Sequence, residues 1–190
     1  FIESSESPEA FFSKWHPLAF PMQGASKELD ALATYVRTLS KTPSSPYRES
    51  TGELTESAQR GKKHFQQLNC AGCHGGEDFT DSPSRYVHNV GTISKTSGKR
   101  LNDKLEGIDT PTLKGVWATA PYLHDGSAES ILEVLTSKRR NNQHGETAAL
   151  HPKQLEDLVS YILQVDDNEV AAGDIKAPNN DASTKIVDHN

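Results

Sequence analysis

Both cysteines of the 190-residue chain stand in one pentapeptide, Cys70-Ala71-Gly72-Cys73-His74, and no other feature constrains the fold as tightly. In a C-x-x-C-H run two thiols and an imidazole come from a single turn of backbone. That spacing lets each thiol add across a vinyl group of haem while the adjacent His reaches the iron from the same side. A thiol–disulfide pair and half of a zinc site also use C-x-x-C. Neither accounts for a His at the next position, and a zinc site needs further soft ligands where this sequence offers only distant His. The expectation is one covalent haem c (one iron), attached through Cys70 and Cys73 and ligated by His74. With both sulfurs committed, no disulfide remains to be placed.

The flanks supply the scaffold such a motif needs. Thr55 reads as a helix N-cap with Glu56 in the first turn, and Ala58, Gly61, Phe65 and Leu68 recur at helical spacing up to Cys70. A second helix starts at Pro152, a residue suited to a first helical position. Its apolar stripe runs through Leu155, Leu158, Val159 and Ile162, with Tyr161 alongside. Between them the chain from Gly75 to about Ser127 is rich in Gly, Ser, Thr and Pro, and a loop of that length in a compact domain needs a reason.

Composition narrows the function classes. The formal charge is −6 and the mean hydropathy −0.67, with no apolar run long enough to cross a bilayer. Cations are scattered apart from Lys138-Arg139-Arg140, a local patch rather than a phosphate-tracking stripe, so nucleic acid is not an expected partner. No export signal is visible at Phe1, which is read as a signal already removed. Because haem attachment to C-x-x-C-H takes place outside the cytoplasm, the expected location is periplasmic or extracellular.

The long loop carries three further stretches: Val87-His88-Asn89-Val90-Gly91-Thr92, Asp109-Thr110-Pro111-Thr112-Leu113-Lys114-Gly115-Val116, and Ala118-Thr119-Ala120-Pro121-Tyr122-Leu123-His124-Asp125-Gly126-Ser127. With the Cys70–His74 motif ahead of them, they resemble the C-terminal haem domain of the bacterial di-haem cytochrome c peroxidase family and its methylamine-utilisation relatives, over roughly Thr55 to Val165. The resemblance implies a mainly α fold: a class I cytochrome c-like helical core around one haem, with a long irregular loop wrapping the haem edge. It also implies that Gly61 and Phe65 lie where the first helix crosses the last, and that Phe65, Pro121, Tyr122 and His124 belong to the haem pocket. His124 has two even readings, a pocket residue or a turn His satisfied by Asp125, with ligation of the iron a smaller third.

The second axial ligand decides whether such a haem carries electrons or keeps a position open for a substrate. The resembled family takes Met or Tyr after the Pro-Tyr-x-His-Asp-Gly stretch, but here that region reads Leu135-Thr136-Ser137-Lys138-Arg139-Arg140. An internal comparison offers another candidate. Met22-Gln23-Gly24 precedes Leu29-Asp30-Ala31-Leu32-Ala33-Thr34-Tyr35-Val36, much as His144-Gly145 precedes Leu155-Glu156-Asp157-Leu158-Val159-Ser160-Tyr161-Ile162. Since class I cytochromes place the distal ligand shortly before the final helix, His144 ranks first, Met22 second and His124 third, with an open site last.

These readings divide the chain into an N-terminal segment, 1–40, the remnant of an upstream cytochrome-like domain packing on the core; a stiff linker, 41–54; the haem domain, 55–165; and a polar tail, 166–190. Two functions remain. A haem with both axial positions filled passes single electrons to a docked redox protein, expected here to present a positively charged surface. A peroxidase-type enzyme needs an open iron position and a distal acid–base group. A third arrangement, an electron-transfer module within a larger multidomain extracellular protein, changes the partner and leaves the haem chemistry as it is.

Overall fold

The computed structural model describes residues 27–94, 97–100, 103–136, 143–171 and 183–185. The chain falls into two compact units, Phe1–Lys41 and Thr42–Asn190. In the first, α1 (Lys27–Thr38) forms where the apolar stripe predicts a helix, yet it has no buried residue, and Leu29, Leu32 and Val36 are exposed.

The second unit is mainly helical, as expected. Its scaffold is the pair α2 (Glu56–Gln67) and α4 (Pro152–Ile162). The Thr55 hydroxyl caps α2 by accepting from the Ala58 N–H at 3.2 Å. At the start of α4, His151 Nδ1 accepts from the Lys153 N–H at 3.4 Å while the Gln154 side chain accepts from the His151 N–H at 2.8 Å, a capping box with Pro152 at the first helical position. The helices cross at Gly61, where a Cβ would fall 1.9 Å from the carbonyl oxygen of Asp157. Only a residue without a side chain lets the two backbones approach so closely. Beside that contact Phe65 meets Tyr161 edge-on at 5.3 Å and Phe79 at 6.3 Å. With Ala58, Leu158, Ile162 and Val165 these rings form the core, each large side chain contributing about 1.5–3 kcal/mol.

The segment between the helices has little regular structure. β1 (Tyr86–His88), β2 (Lys99–Arg100) and β3 (Asp103–Lys104) are short, α3 (Ile131–Leu135) is one capped turn, and β4 (Ser183–Lys185) follows α4. β1 pairs antiparallel with β4, β2 with β3, and His88 exchanges both backbone hydrogen bonds with Ile108 at 2.9 Å. Gly107 permits that bridge, since a Cβ there would lie 2.8 Å from the His88 nitrogen. The Tyr122 hydroxyl donates to the Val116 carbonyl at 3.0 Å, and Tyr122 and Ala128 exchange backbone bonds, which folds the Pro121–Ser127 stretch onto itself.

Two stretches differ from the sequence reading. The expected linker, 41–54, is from Thr42 onward part of the second unit: Ser45 is buried, and the Arg48 guanidinium grips the Asp166 carboxylate through Nε at 2.7 Å and Nη2 at 2.9 Å. The expected tail begins with Asp166, Glu169 and Ala171 buried, Glu169 being paired with Lys62 and lying 3.6 Å from Arg48. Both stretches look solvated by composition. Their polar residues are buried because they satisfy one another.

Candidate haem site

α2 ends at Gln67, and Asn69, in the left-handed conformation with φ of 56°, turns the chain into the single 3-10 turn Cys70–Gly72. The His74 N–H reaches back to the Cys70 carbonyl at 2.9 Å, so one hydrogen-bonded turn holds both thiols and the imidazole. They form one wall of a cavity of about 520 Å³. Its other walls are mostly apolar, with Phe65 from α2, Leu113 and Val116 from the long loop, Ile131, Val134 and Leu135 from α3, and Ile162 from α4. The enclosure falls within the usual range of cofactor sites, roughly 300–1,000 Å³.

Burial pushes the Cys70 thiol up to about 12 and the Cys73 thiol up to about 11. Both thiols are therefore protonated, the form that adds across a vinyl group to give a thioether. His74 is held in the opposite sense. Burial, then the neighbouring His144, push it down to about 4, and the imidazole is neutral, as a metal ligand must be. Its Nδ1 lies 3.4 Å from the Phe79 carbonyl oxygen. A carbonyl can only accept, so Nδ1 carries the proton in that contact and Nε2 is left for a metal.

His144 lines the same cavity, and burial lowers its proton affinity too. Its ring centroid lies 6.3 Å from that of His74, with the ring planes 39° apart. Phe65, Pro121, Tyr122 and His124 also line the cavity, so the structure brings all eight sequence-derived site residues to one enclosure. His124 is exposed at the wall, where its Nε2 meets the Ser97 hydroxyl at 2.9 Å, and Asp125 instead accepts from the Ser127 N–H. Met22 lies outside the described residues.

Sequence reasoning missed one pair. His88 lines the cavity, and its Nε2 sits 2.7 Å from Oδ2 of the fully buried Asp81. The two are seven residues apart and joined by an irregular turn, so no helical or strand period marks them. The only sequence signal was the position of His88 in the Val87–Thr92 stretch.

Cavity size, apolar lining, protonated thiols and neutral imidazole suit a covalent haem. A family model described as RoxA-like, cytochrome c-like matches residues 107–144. Hydrazine synthase subunit gamma of Kuenenia stuttgartiensis is 31% identical over 172 residues, covering 70% of this chain and 48% of that protein. A solved structure of that hydrazine synthase superposes with a TM-score of 0.60 at 29% identity, covering 72% of this chain and 55% of the other. Methylamine utilization protein MauG of Methylophilus methylotrophus is 27% identical over 155 residues, covering 72% of this chain and 45% of that protein. Cytochrome c peroxidase Ccp of Escherichia coli is 33% identical over 156 residues, covering 74% of this chain and 33% of that protein. The chain thus spans about half or less of the length of the curated relatives it matches. Motif, fold and relatives agree on a cytochrome c-like domain, similar to part of proteins of the di-haem cytochrome c peroxidase family.

Proposed function

We propose that this chain is an electron-transfer domain with one haem c, attached through Cys70 and Cys73 and flanked axially by His74 and His144. The observation that carries this reading is the 6.3 Å between the two imidazole centroids. A ring nitrogen sits about 2 Å from a bound metal. It lies about 1.2 Å from its own ring centre, given ring bonds near 1.35 Å. Two imidazoles on opposite sides of one metal therefore have their centres about 6.4 Å apart. The haem, when bound, supplies reversible one-electron chemistry. The protein would hold the iron with the imidazoles of His74 and His144, and its apolar enclosure would keep water and peroxide from the macrocycle.

The formal charge of −6 favours a redox partner with a positively charged docking surface. The chemistry of attachment favours a periplasmic or extracellular location.

Absorption spectra of the oxidised and reduced holoprotein, extended into the near infrared, test the reading. Two nitrogen ligands and no turnover with peroxide and an electron donor are expected. A five-coordinate spectrum, or spectra of His144→Ala indistinguishable from the original, would sink it.

A second reading rests on two relatives, a cytochrome c peroxidase and a methylamine utilization protein. In it this domain passes electrons to a catalytic haem elsewhere in a larger protein. Steady turnover with peroxide by the whole protein, lost when His74 is replaced, would favour it.

A further inference from the structure

The Asp81–His88 pair has no role in attachment or axial ligation, yet it is among the most deeply buried polar groups of the domain, at 0% and 6% exposure. Asp81 Oδ2 is 2.7 Å from His88 Nε2, and Oδ1 has no hydrogen-bond partner among the described residues. A buried carboxyl oxygen left unmet is uncommon in native proteins and calls for an explanation. Neither residue is free to move: His88 is fixed by its two backbone bonds to Ile108 and by pairing of β1 with β4, and Asp81 opens the turn Ser82–Ser84.

The pair lies directly behind the attachment motif. Ligand atoms of Cys73, Asp81 and His88 all lie within 4.8 Å of one another, and Cys73 immediately precedes the iron ligand. Once the Cys73 sulfur is a thioether it is a poor cation ligand, so the three do not form a second metal site. What remains is a buried acid whose field is weakly screened in a medium of low dielectric. That field reaches His74. A negative group buried that near the attachment motif favours positive charge on a metal held there.

We propose that Asp81, oriented by His88, is a positioning residue that sets the reduction potential of the haem, its carboxylate stabilising the oxidised and more positive state of the iron. The proposal rests on haem attachment at Cys70–His74 and is independent of which residue supplies the distal ligand.

The test is a potentiometric titration of the holoprotein and three variants, with haem content and ligand-type spectra recorded alongside. Asp81→Asn is expected to move the reduction equilibrium toward the reduced form at least tenfold, about 59 mV for one electron, with the axial-ligand spectrum unchanged. Asp81→Glu, which keeps the charge, should stay within about threefold of the parent. So should Glu156→Gln, an exposed carboxylate on α4. An Asp81→Asn potential equal to the parent, or equal shifts in Asp81→Asn and Asp81→Glu, overturns the proposal. If Asp81→Asn does not retain haem, redox-induced infrared difference spectra of protein labelled at the aspartate carboxyl carbons replace it. A labelled carboxylate band that responds to reduction and disappears in Asp81→Glu supports the role, and no responding aspartate band overturns it. A failed distal-ligand assignment would show instead in the ligand spectrum, leaving these shifts in place.

Discussion

The imidazoles of His74 and His144 line one cavity with their centres 6.3 Å apart, although 70 positions separate them in the chain. If both bind one iron, His144→Ala leaves a five-coordinate centre, and added imidazole restores the parental absorption spectrum. His144→Met exchanges a nitrogen for a thioether sulfur and raises the reduction potential, as His/Met ligation does in cytochromes c. Spectroelectrochemistry of the two variants checks both outcomes.

Gly61→Ala places a methyl carbon 1.9 Å from the Asp157 carbonyl oxygen and 2.8 Å from the Tyr161 Cβ. The helices must separate, loosening the Phe65–Tyr161 contact that backs the haem wall. A loss of about 3 kcal/mol or more is expected, at the upper end of overpacking costs. The urea midpoint of the holoprotein measures it.

Asp157 carries the acid sensitivity of the same crossing. Arg60, at 2.8 and 3.0 Å, and Ser57, at 2.6 Å, hold its carboxyl down at about 2 against an ordinary value of 3.8. A group with a depressed folded pKa stabilises the fold above its unfolded value, and that contribution is lost as the pH falls toward the folded one. Asp157→Asn should therefore be less stable than the parent at neutral pH, with the difference shrinking between about pH 4 and pH 2. Parallel denaturation curves across that window test the sign. An equal gap at both ends would contradict it.

Arg48 and Asp166 are both nearly inaccessible, with side chains 5% and 0% exposed. Arg48→Ala leaves Asp166 buried and uncompensated, at a cost of about 3–5 kcal/mol. Arg48→Ala combined with Asp166→Ala should recover part of that loss, because the stranded charge is gone. A double-mutant cycle on thermal unfolding gives the coupling.

What was legible in the sequence was local. The spacing of Cys70, Cys73 and His74 states its own chemistry, and Thr55 and Pro152 mark helix starts because caps are written within four residues. His144 was reachable through its placement ahead of the last helix. Arg48 with Asp166 and Asp81 with His88 were not, because nothing in the composition of a Pro- and Ser-rich stretch or an Asp-rich end reveals which charge will meet which. The partner of Arg48 lies 118 residues away. Pairing at that range depends on the helix crossing at Gly61, and it appears only after the crossing exists.

The grip of Arg48 on Asp166 has one more consequence. Together with the Ser45 hydroxyl donating to the Leu163 carbonyl and Thr55 bonded to Gln164, it brings residues 45–55 beside residues 163–166, as the two legs of a staple meet at its base. A clasp of this kind ties the first residues of the unit to the end of its last helix, so the two cannot part without stranding a buried charge.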